Sequence, residues 1–276
     1  MTERAFRFGV VAGQARTGSE RAATAQRAES LGFDTLLVPD TVHTLAPFPA
    51  LAAAAAVTRT LRVGTYVLSA PNRSPGLVAW ETQSLRTLTG DRFELGLGGG
   101  RPGAERDAEA LGAGFGTPGD RLRRVAETIA AVRRASAPPI LVAASRPRML
   151  RLAAEQADIV ALGLPPQAPE DELAGTVAAL RGYAGSRIDS LELHLNIAAV
   201  ADSPAAIPDW LGRMVGGDAR AMAAAGGIAF LIGSPDQAAD LLRRRRTDLG
   251  ISYIAVNALF MEQFAPVLTR LREHAS

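Results

Sequence analysis

Residues 61–100, LRVGTYVLSAPNRSPGLVAWETQSLRTLTGDRFELGLGGG, decide the fold of this chain. Residues 61–68 are apolar and rich in β-branched side chains, which is typical of a strand buried on both faces. Turn-forming residues fill 70–75, and residues 93–97 predict a second buried strand. The helix predicted between them has apolar side chains at helical spacing, namely Leu77, Trp80, Leu85 and Leu88. Two such strands joined by a helix form a right-handed crossover, so the stretch predicts a βαβ unit of a parallel sheet.

The rest of the chain repeats this alternation of strands and helices. Strands are predicted at residues 6–11, 35–38, 61–68, 93–97, 139–143, 158–162, 191–200 and 251–256. Helices are predicted at residues 19–31, 49–59, 76–89, 120–134, 147–156, 169–183, 204–225, 236–249 and 262–274. Eight buried strands alternating with helices predict an α/β protein with the (β/α)8 TIM-barrel fold. No linker or change of composition divides the chain, so we expect a single domain over residues 1–276.

The composition excludes several kinds of chemistry. Cysteine is absent, so disulfides and thiolate nucleophiles are excluded, and all 30 basic residues are arginine, so no lysine Schiff base can form. No HExxH or similar ligand spacing occurs, and we expect no catalytic metal. A net charge of +2 and only 5% aromatic residues argue against nucleic acid as a main partner. No secretory signal or bilayer-spanning apolar run is visible, so we expect a cytoplasmic protein without a membrane partner.

In a barrel of this kind the chemistry lies beyond the carboxyl ends of the strands. His43 follows the second predicted strand there, although a loop histidine can also be merely exposed. The loop that contains Asn72 follows the third strand. The run Gly98, Gly99 and Gly100 follows the fourth, and its lack of side chains lets a flat ligand approach the backbone.

The segment after the fifth predicted strand is a candidate phosphate site. Ser145 and Arg146 stand directly before a predicted helix, and the amide groups of a helix start attract anions. The alternative reading is that Ser145 simply caps the helix.

The seventh predicted strand alternates, with leucine and isoleucine on one side and Glu192, His194 and Asn196 on the other. Because the outer side of a barrel strand meets apolar helices, the polar set should face the lumen. We expect Glu192 and His194 to form an internal hydrogen-bonded layer. Asn196, nearer the carboxyl end, is a candidate for contact with substrate.

Five stretches of the chain resemble the bacterial luciferase-like family of flavin- and deazaflavin-dependent oxidoreductases, in particular its coenzyme F420 branch. They are AESLGFDTLLVPD at 28–40, PFPALAAAAAVTRTLRVGTYVLSAPNRSP at 47–75, GDRFELGLGGG at 90–100, PPILVAASRPRMLRLAAEQADIV at 138–160 and LGISYIAVNALFMEQFAPVL at 249–268. The resemblance follows the family order and spacing over most of the sequence, and it implies the same barrel.

The resemblance also implies a redox cofactor, F420 or alternatively FMN, at the carboxyl end of the barrel. In this family a bulge, often with a non-prolyl cis peptide, interrupts the third strand behind the ring, and by position it falls at Tyr66 and Val67. The glycine segment lies alongside the ring, and the phosphate is held after the fifth strand. The implied cofactor-binding residues are Tyr66, Val67, Gly98, Gly99, Gly100, Arg101, Ala144, Ser145 and Arg146.

Acid–base residues of the family follow the second strand and the glycine run. They correspond here to Asp40, with His43 as its neighbour, and to Glu105. Thr41, Asn72 and Asn196 are the expected contacts with a small-molecule substrate. Dimers are common among proteins that resemble this one, so we expect a homodimer.

The chain departs from the usual family pattern around this site. Thr41 stands where many relatives have histidine, and Arg101 replaces an aromatic residue after the glycines. Ala144 and Ser145 occupy a turn that is typically glycine-rich. Relatives also carry an insertion before the fifth strand, which is absent here. We expect its loss to leave the pocket more open or to alter a subunit contact.

Three functions are consistent with these observations. The first is an F420-dependent oxidoreductase that transfers a hydride to or from C5 of the deazaflavin. The second is an FMN-dependent monooxygenase on the same fold. The third is a barrel that has lost its cofactor and works as a cofactor-free catalyst or a binding protein, which the replacements at Thr41 and Arg101 favour.

Overall fold

The computed structural model describes residues 4–101 and 103–273. Its strands are β1 (Arg7–Val11), β2 (Thr35–Val38), β3 (Arg62–Thr65), β4 (Leu68–Ser69), β5 (Phe93–Gly98), β6 (Ile140–Ala144), β7 (Ile159–Leu162), β8 (Glu192–Ile197), β9 (Ala199–Ala201), β10 (Phe230–Ile232) and β11 (Ile251–Asn257). Its α-helices are α1 (Gly18–Ser30), α2 (Pro47–Ala56), α3 (Pro75–Thr89), α4 (Ala104–Ala110), α5 (Pro118–Ala135), α6 (Pro147–Gln156), α7 (Glu170–Ala184), α8 (Leu211–Val215), α9 (Ala219–Ala224), α10 (Pro235–Arg244) and α11 (Met261–Glu273). Within both ranges, every helix is too short or too polar to cross a lipid bilayer. His274, the predicted end of the last helix, lies outside the described residues.

Eight strand positions close a parallel barrel. β1 pairs with β2 on one side and with β11 on the other, and the sheet continues from β11 through β8, β7 and β6 to β5. β3 completes the ring because it pairs with both β2 and β5. The predicted (β/α)8 barrel is therefore confirmed, and a strand is present at each predicted position, although the one predicted over residues 191–200 divides into β8 and β9. The short connection between α5 and β6, residues 136–139, agrees with the missing insertion.

The third barrel strand is interrupted, as the family resemblance implied. A cis peptide bond joins Tyr66 to Val67 between β3 and β4. Gly64 pairs with Glu94 of β5, but Leu68 pairs with Leu97, so the interrupted strand carries one more residue than its neighbour over this interval. This extra residue is a bulge at the carboxyl end of the strand. The continuous strand predicted over residues 61–68 is thus wrong in detail, and the predicted break is confirmed.

The outward side chains of the strands pack against the helices. The ring of Phe8 lies 5.8 Å from that of Phe264 on α11, and Phe93 lies 6.0 Å from Phe48 on α2. Leu193 and Leu195 of β8 belong to the same buried layer. Burial of such aromatic and aliphatic side chains supplies most of the stability of a barrel.

The lumen is polar at its amino-terminal end. Arg7 forms ion pairs with Glu94, at 2.6 Å, and with Glu192, at 2.9 Å. The Tyr253 hydroxyl donates to Glu94 at 2.8 Å, and the Arg7 guanidinium lies 3.7 Å from the centre of the Tyr253 ring. The expected internal layer is therefore confirmed for Glu192, and it holds the first residues of β1 and β8 together.

His194 lies above this layer and does not behave as expected. Its ring is fully buried, 4.8 Å from the Tyr66 ring and 4.6 Å from the Tyr253 ring. Neither imidazole nitrogen bonds to another residue in the described part of the chain. Burial, with a further contribution from the Arg7 charge, lowers the pKa of His194 to about 3. The predicted hydrogen-bonded histidine is wrong, and the ring is instead a neutral packing group.

Helix α3 buries a different face from the one that the sequence indicated. Its buried side chains are Val78, Ala79, Thr82, Leu85 and Thr89. Leu77 is 40% exposed, Trp80 69% and Leu88 74%, so only Leu85 of the predicted stripe packs inward. The neighbouring α2 consists of proline, phenylalanine, leucine and alanine alone, and its exposed positions include Ala53 and Ala56. We call the exposed positions of these two helices the α2–α3 face.

The segment between β8 and β11 is more broken than predicted. The single helix expected over residues 204–225 is wrong, because α8 and α9 are separate short helices. Gly216 ends α8 in the left-handed conformation at φ 78°, which favours glycine. The sequence analysis also missed β10, which pairs in parallel with β9 outside the barrel. This segment forms one wall above the barrel mouth.

Candidate active site

A cavity opens at the carboxyl ends of β2, β4, β5, β6 and β7, and we call it the inner cavity. Its volume is about 370 Å3, within the range of small-molecule sites, roughly 300–1,000 Å3. The structure brings together here most of the residues that the sequence predicted. They are Asp40, Thr41, Tyr66, Val67, Gly98, Gly99, Gly100, Arg101, Ala144 and Ser145. Ser69 and Gly163 also line it and were not predicted, although each stands at the carboxyl end of a strand.

The glycine run is explained first by packing inside the protein. A Cβ atom added to Gly98 would lie 2.8 Å from a methyl group of Val67. One added to Gly100, whose φ is 93°, would lie 2.7 Å from the Phe115 ring. Glycine is therefore required at these positions for the interrupted strand, at Val67, and the loop that contains Phe115 to pack against the end of β5. The result is a cavity wall made of bare backbone, which suits a flat ring.

The start of α6 forms the opposite wall and is open. Arg146 occupies the N-cap position without a capping side chain, so the alternative of Ser145 as a plain helix cap is wrong. The Gly163 amide donates to the Ala144 carbonyl at 2.9 Å, which fixes the turn. A Cβ added to Gly163 would meet nothing closer than that carbonyl oxygen, at 3.6 Å. Free helix amides, a serine hydroxyl and adjacent space fit a phosphate group.

Asp40 lines the inner cavity, but both of its oxygens are engaged. Arg73 forms a two-pronged ion pair with the carboxylate, with one of the two hydrogen bonds at 2.9 Å. The Ser69 amide donates to the same carboxylate at 3.0 Å. This arrangement anchors the loop after the interrupted strand to β2 and leaves Asp40 poorly placed to move a proton. Arg73 was not predicted, since the sequence gives no sign of a pairing over 33 residues.

Arg101 stands at the edge of the inner cavity. Its guanidinium pairs with Asp107 of α4 at 2.7 Å, and the Asp107 side chain is 4% exposed. Glu105, the predicted acidic residue, is exposed and lies outside the cavity lining. The acidic residue that pairs with Arg101 in this loop is therefore Asp107 and not Glu105. Its position on the inner face of α4, three residues after the buried Ala104, is a signal that the sequence analysis missed.

Two other predicted residues are not brought to the cavity. His43 is exposed in a turn closed by the Thr44 amide, which donates to the Thr41 carbonyl at 3.1 Å. Asn72 lies in a 3-10 helix after β4 and lines neither the inner cavity nor the larger cavity that adjoins it. Thr41 does reach the inner cavity, and its hydroxyl lies 3.2 Å from that of Thr44.

A larger outer cavity of about 1,030 Å3 adjoins the inner one. The two share Gly100, Arg101, Ser145 and Gly163 as boundary residues. Arg146 and Asn196, both predicted, line the outer cavity rather than the inner one. Its remaining walls come from the ends of β1 and β11, from Ala198 after β8, from the loop after β7, from Glu172 of α7 and from α8. The sequence analysis assigned none of these to a site.

The sequence profile of the luciferase-like monooxygenase family matches residues 5–253. The chain belongs to this family. The match runs from the start of the barrel into its last strand, and it includes every residue of the inner cavity. The luciferase-like family contains oxidoreductases and monooxygenases, which agrees with the resemblance seen in the sequence.

Individual relatives of this luciferase-like chain are distant. The 5,10-methylenetetrahydromethanopterin reductase of Methanolobus tindarius is 28% identical over 158 residues, which cover 49% of this chain and 47% of that protein. The match thus spans about half the length of that curated relative.

Solved structures show the same fold. The coenzyme F420 dependent tetrahydromethanopterin reductase of Methanopyrus kandleri has a TM-score of 0.74 at 15% identity, over 96% of this chain and 97% of that one. A riboflavin lyase solved with modified FMN and riboflavin has a TM-score of 0.77 at 16% identity, over 99% of this chain and 92% of that one. The neighbours of this family member therefore include proteins whose names carry F420 and FMN.

Proposed function

We propose that this luciferase-like protein is an F420-dependent oxidoreductase that transfers a hydride between the deazaflavin and a small organic substrate. The observation that carries the proposal is the inner cavity itself. It lies between the bare backbone of residues 98–100, the interrupted strand at Tyr66 and Val67, and the uncapped start of α6. A flat ring with a phosphate at one end matches these three walls.

The residues of the inner cavity divide into two tasks. Ser145 and the first amides of α6 would hold the phosphate, while Val67 and the glycine backbone would support the ring. The bound deazaflavin supplies a carbon, C5, that accepts or donates a hydride. The Tyr66 hydroxyl is protonated at neutral pH, as any tyrosine is, and burial raises its pKa further, so it can donate a hydrogen bond. We assign the Thr41 hydroxyl the same role of hydrogen-bond donor. We assign Asp40 to holding the loop through its ion pair with Arg73.

FMN-dependent monooxygenation is the second candidate. The inner cavity favours it, because the glycine backbone and the open start of α6 together form a site for a ring and one phosphate group. The cofactor-free alternative is favoured by the replacements at Thr41 and Arg101. Arg101 is held by Asp107 and the cavity beside it is open, so the Arg101 replacement does not close the proposed ring site, and Thr41 is the replacement that still favours this alternative.

A titration decides among these functions. Purified protein is mixed with F420 or with FMN, and quenching of the cofactor fluorescence is followed. We expect micromolar binding of F420 and at least tenfold weaker binding of FMN. The reverse preference would support the monooxygenase, and failure of both cofactors to bind would contradict the proposed function.

We also propose that the protein forms a homodimer through the α2–α3 face. This face has no charged side chain on α2, and it presents Leu77, Trp80 and Leu88 to solvent from α3. Large exposed apolar side chains on α3, next to the uncharged α2, support an interaction site here. The small alanine side chains of α2 provide a shallow surface on which the Trp80 ring of a second copy can pack.

Replacing Trp80 by Glu is expected to weaken the dimer at least about 30-fold, because a central tryptophan commonly contributes 2 kcal/mol or more to an interface. Sedimentation equilibrium measures the effect. The matched control is Leu111→Glu, which makes a similar change at a residue 51% exposed beyond α4. A wild-type protein that sediments as a monomer, or a control that dissociates equally, would contradict the assignment.

A further inference from the structure

We infer that the outer cavity binds the substrate, and that the substrate is an amphipathic organic anion. This inference rests on the proposed function, since it assigns the inner cavity to the cofactor. The outer cavity is the larger of the two, and it meets the inner one at Gly100, Arg101, Ser145 and Gly163. A molecule held there would therefore lie next to whatever occupies the inner cavity.

One part of the outer cavity is apolar. Val11, Leu164 and Ala198 line it from the barrel side, and Leu211, Met214 and Val215 line it from α8. Met214 is 50% exposed although its side chain is apolar. Apolar walls with a few polar groups are the usual make-up of a small-molecule site, so the body of the ligand should be hydrocarbon.

The charged side chains of the outer cavity are mainly basic. Arg146 and Arg213 line it, and neither guanidinium has an ion-pair partner among the residues that the structure describes. Arg101, at the boundary, is paired with Asp107. Glu172 is the acidic residue of the lining. With the Arg101–Asp107 pair counted as neutral, two arginines stand against one glutamate, which favours an anionic ligand, and the planar guanidinium matches a carboxylate or phosphate in particular.

Two asparagines add polar contacts near the barrel. The Asn196 Oδ1 atom is buried and has no hydrogen-bond partner in the described chain. Asn257 accepts a hydrogen bond from the Leu259 amide at 3.0 Å through its oxygen, which leaves its NH2 group available. A buried polar atom without a partner is destabilising unless a ligand or water supplies one. These side chains therefore support a ligand that carries polar atoms close to the strand ends.

Octanoate and its neutral counterpart octanamide test the inference. Each is titrated by calorimetry into the protein, both free of cofactor and saturated with F420 or FMN. We expect octanoate to bind at least tenfold more tightly than octanamide, with an affinity that changes less than twofold when the cofactor is added. Arg213→Ala and Arg146→Ala should each weaken octanoate binding about fivefold, as expected for one charge-assisted hydrogen bond from an exposed side chain.

The matched control is Arg148→Ala, which removes the same charge from a residue that is exposed like Arg146 and Arg213 but lies outside both cavities. It should leave octanoate binding within twofold of wild type. Equal binding of octanoate and octanamide, equal loss in the control, or no octanoate binding would overturn the inference. Displacement of octanoate by F420 would also overturn it, because the outer cavity would then belong to the anionic tail of the cofactor. If neither cofactor binds, the proposed function fails separately, and the titration of cofactor-free protein still decides whether the cavity is an anion site.

Discussion

Replacing Ser145 by Asp is expected to abolish cofactor binding. The new carboxylate would lie beside the open start of α6, where the phosphate of the cofactor is proposed to bind. Two like charges about 4 Å apart repel by roughly 4 kcal/mol at an effective dielectric constant of 20, so affinity should fall about a thousandfold. The measurement is the fluorescence titration used for the wild-type protein.

Two controls separate charge repulsion from misfolding. Ser145→Ala keeps the helix amides and should lose no more than about tenfold, the contribution of one hydrogen bond to a charged group. Ser234→Asp adds the same charge at the start of α10, outside both cavities, and should bind the cofactor normally. An acidic residue at a helix start is itself stabilising, so neither Asp variant should unfold. Unchanged affinity in Ser145→Asp would remove the phosphate from this turn.

The stability of the protein is expected to fall in mild acid because of His194. Its pKa is about 3 in the folded protein, against about 6.5 in an unfolded chain. Between these values the unfolded state binds a proton that the native state does not, so stability declines as the pH falls below 6.5. At pH 5.0 the loss from this residue amounts to roughly 2 kcal/mol. Arg7 and the rings of Tyr66 and Tyr253 surround the imidazole and offer it no counter-charge.

Urea unfolding of wild type and His194→Gln at pH 7.5 and pH 5.0 measures this effect. The wild-type protein should lose about 2 kcal/mol more than the variant between the two pH values, whatever their difference at pH 7.5. His43→Gln is the matched control, because that histidine is exposed, and it should follow the wild type. Parallel losses in wild type and His194→Gln would show that the buried ring takes up its proton without cost.

The barrel could be predicted from the sequence because its signals are local and repeated. The apolar strands, such as β5 and β11, are buried on both faces and cannot be mistaken for surface elements. The prediction of the buried face of α3 was wrong for a different reason. Leu77, Trp80 and Leu88 have the same helical spacing as a buried face, and periodicity does not distinguish a face that packs on a sheet from one left exposed.

The backbone of the candidate site was also predictable, whereas its side-chain partners were not. The glycine run and the turn at Ser145 stand at strand ends, so their meeting follows from the barrel topology. The pairing of Asp40 with Arg73, and that of Arg101 with Asp107, depend on how the loops fold back over the barrel. Glu105 and Asp107 are equally acidic in the sequence. Which of them turns inward is decided by the helical phase of α4, a short helix that the sequence analysis did not predict.

The packed lumen constrains the order of events at the barrel mouth. Beneath Tyr66 the described strands fill the barrel interior with His194, Tyr253 and the ion pairs of Arg7. A ligand therefore enters and leaves the inner cavity across the carboxyl-end face of the barrel. The outer cavity opens on that same face and shares its border. An occupant of the outer cavity would therefore obstruct exchange below it. Under the proposed function, steady-state kinetics should therefore be ordered, with the redox cofactor binding first and leaving last.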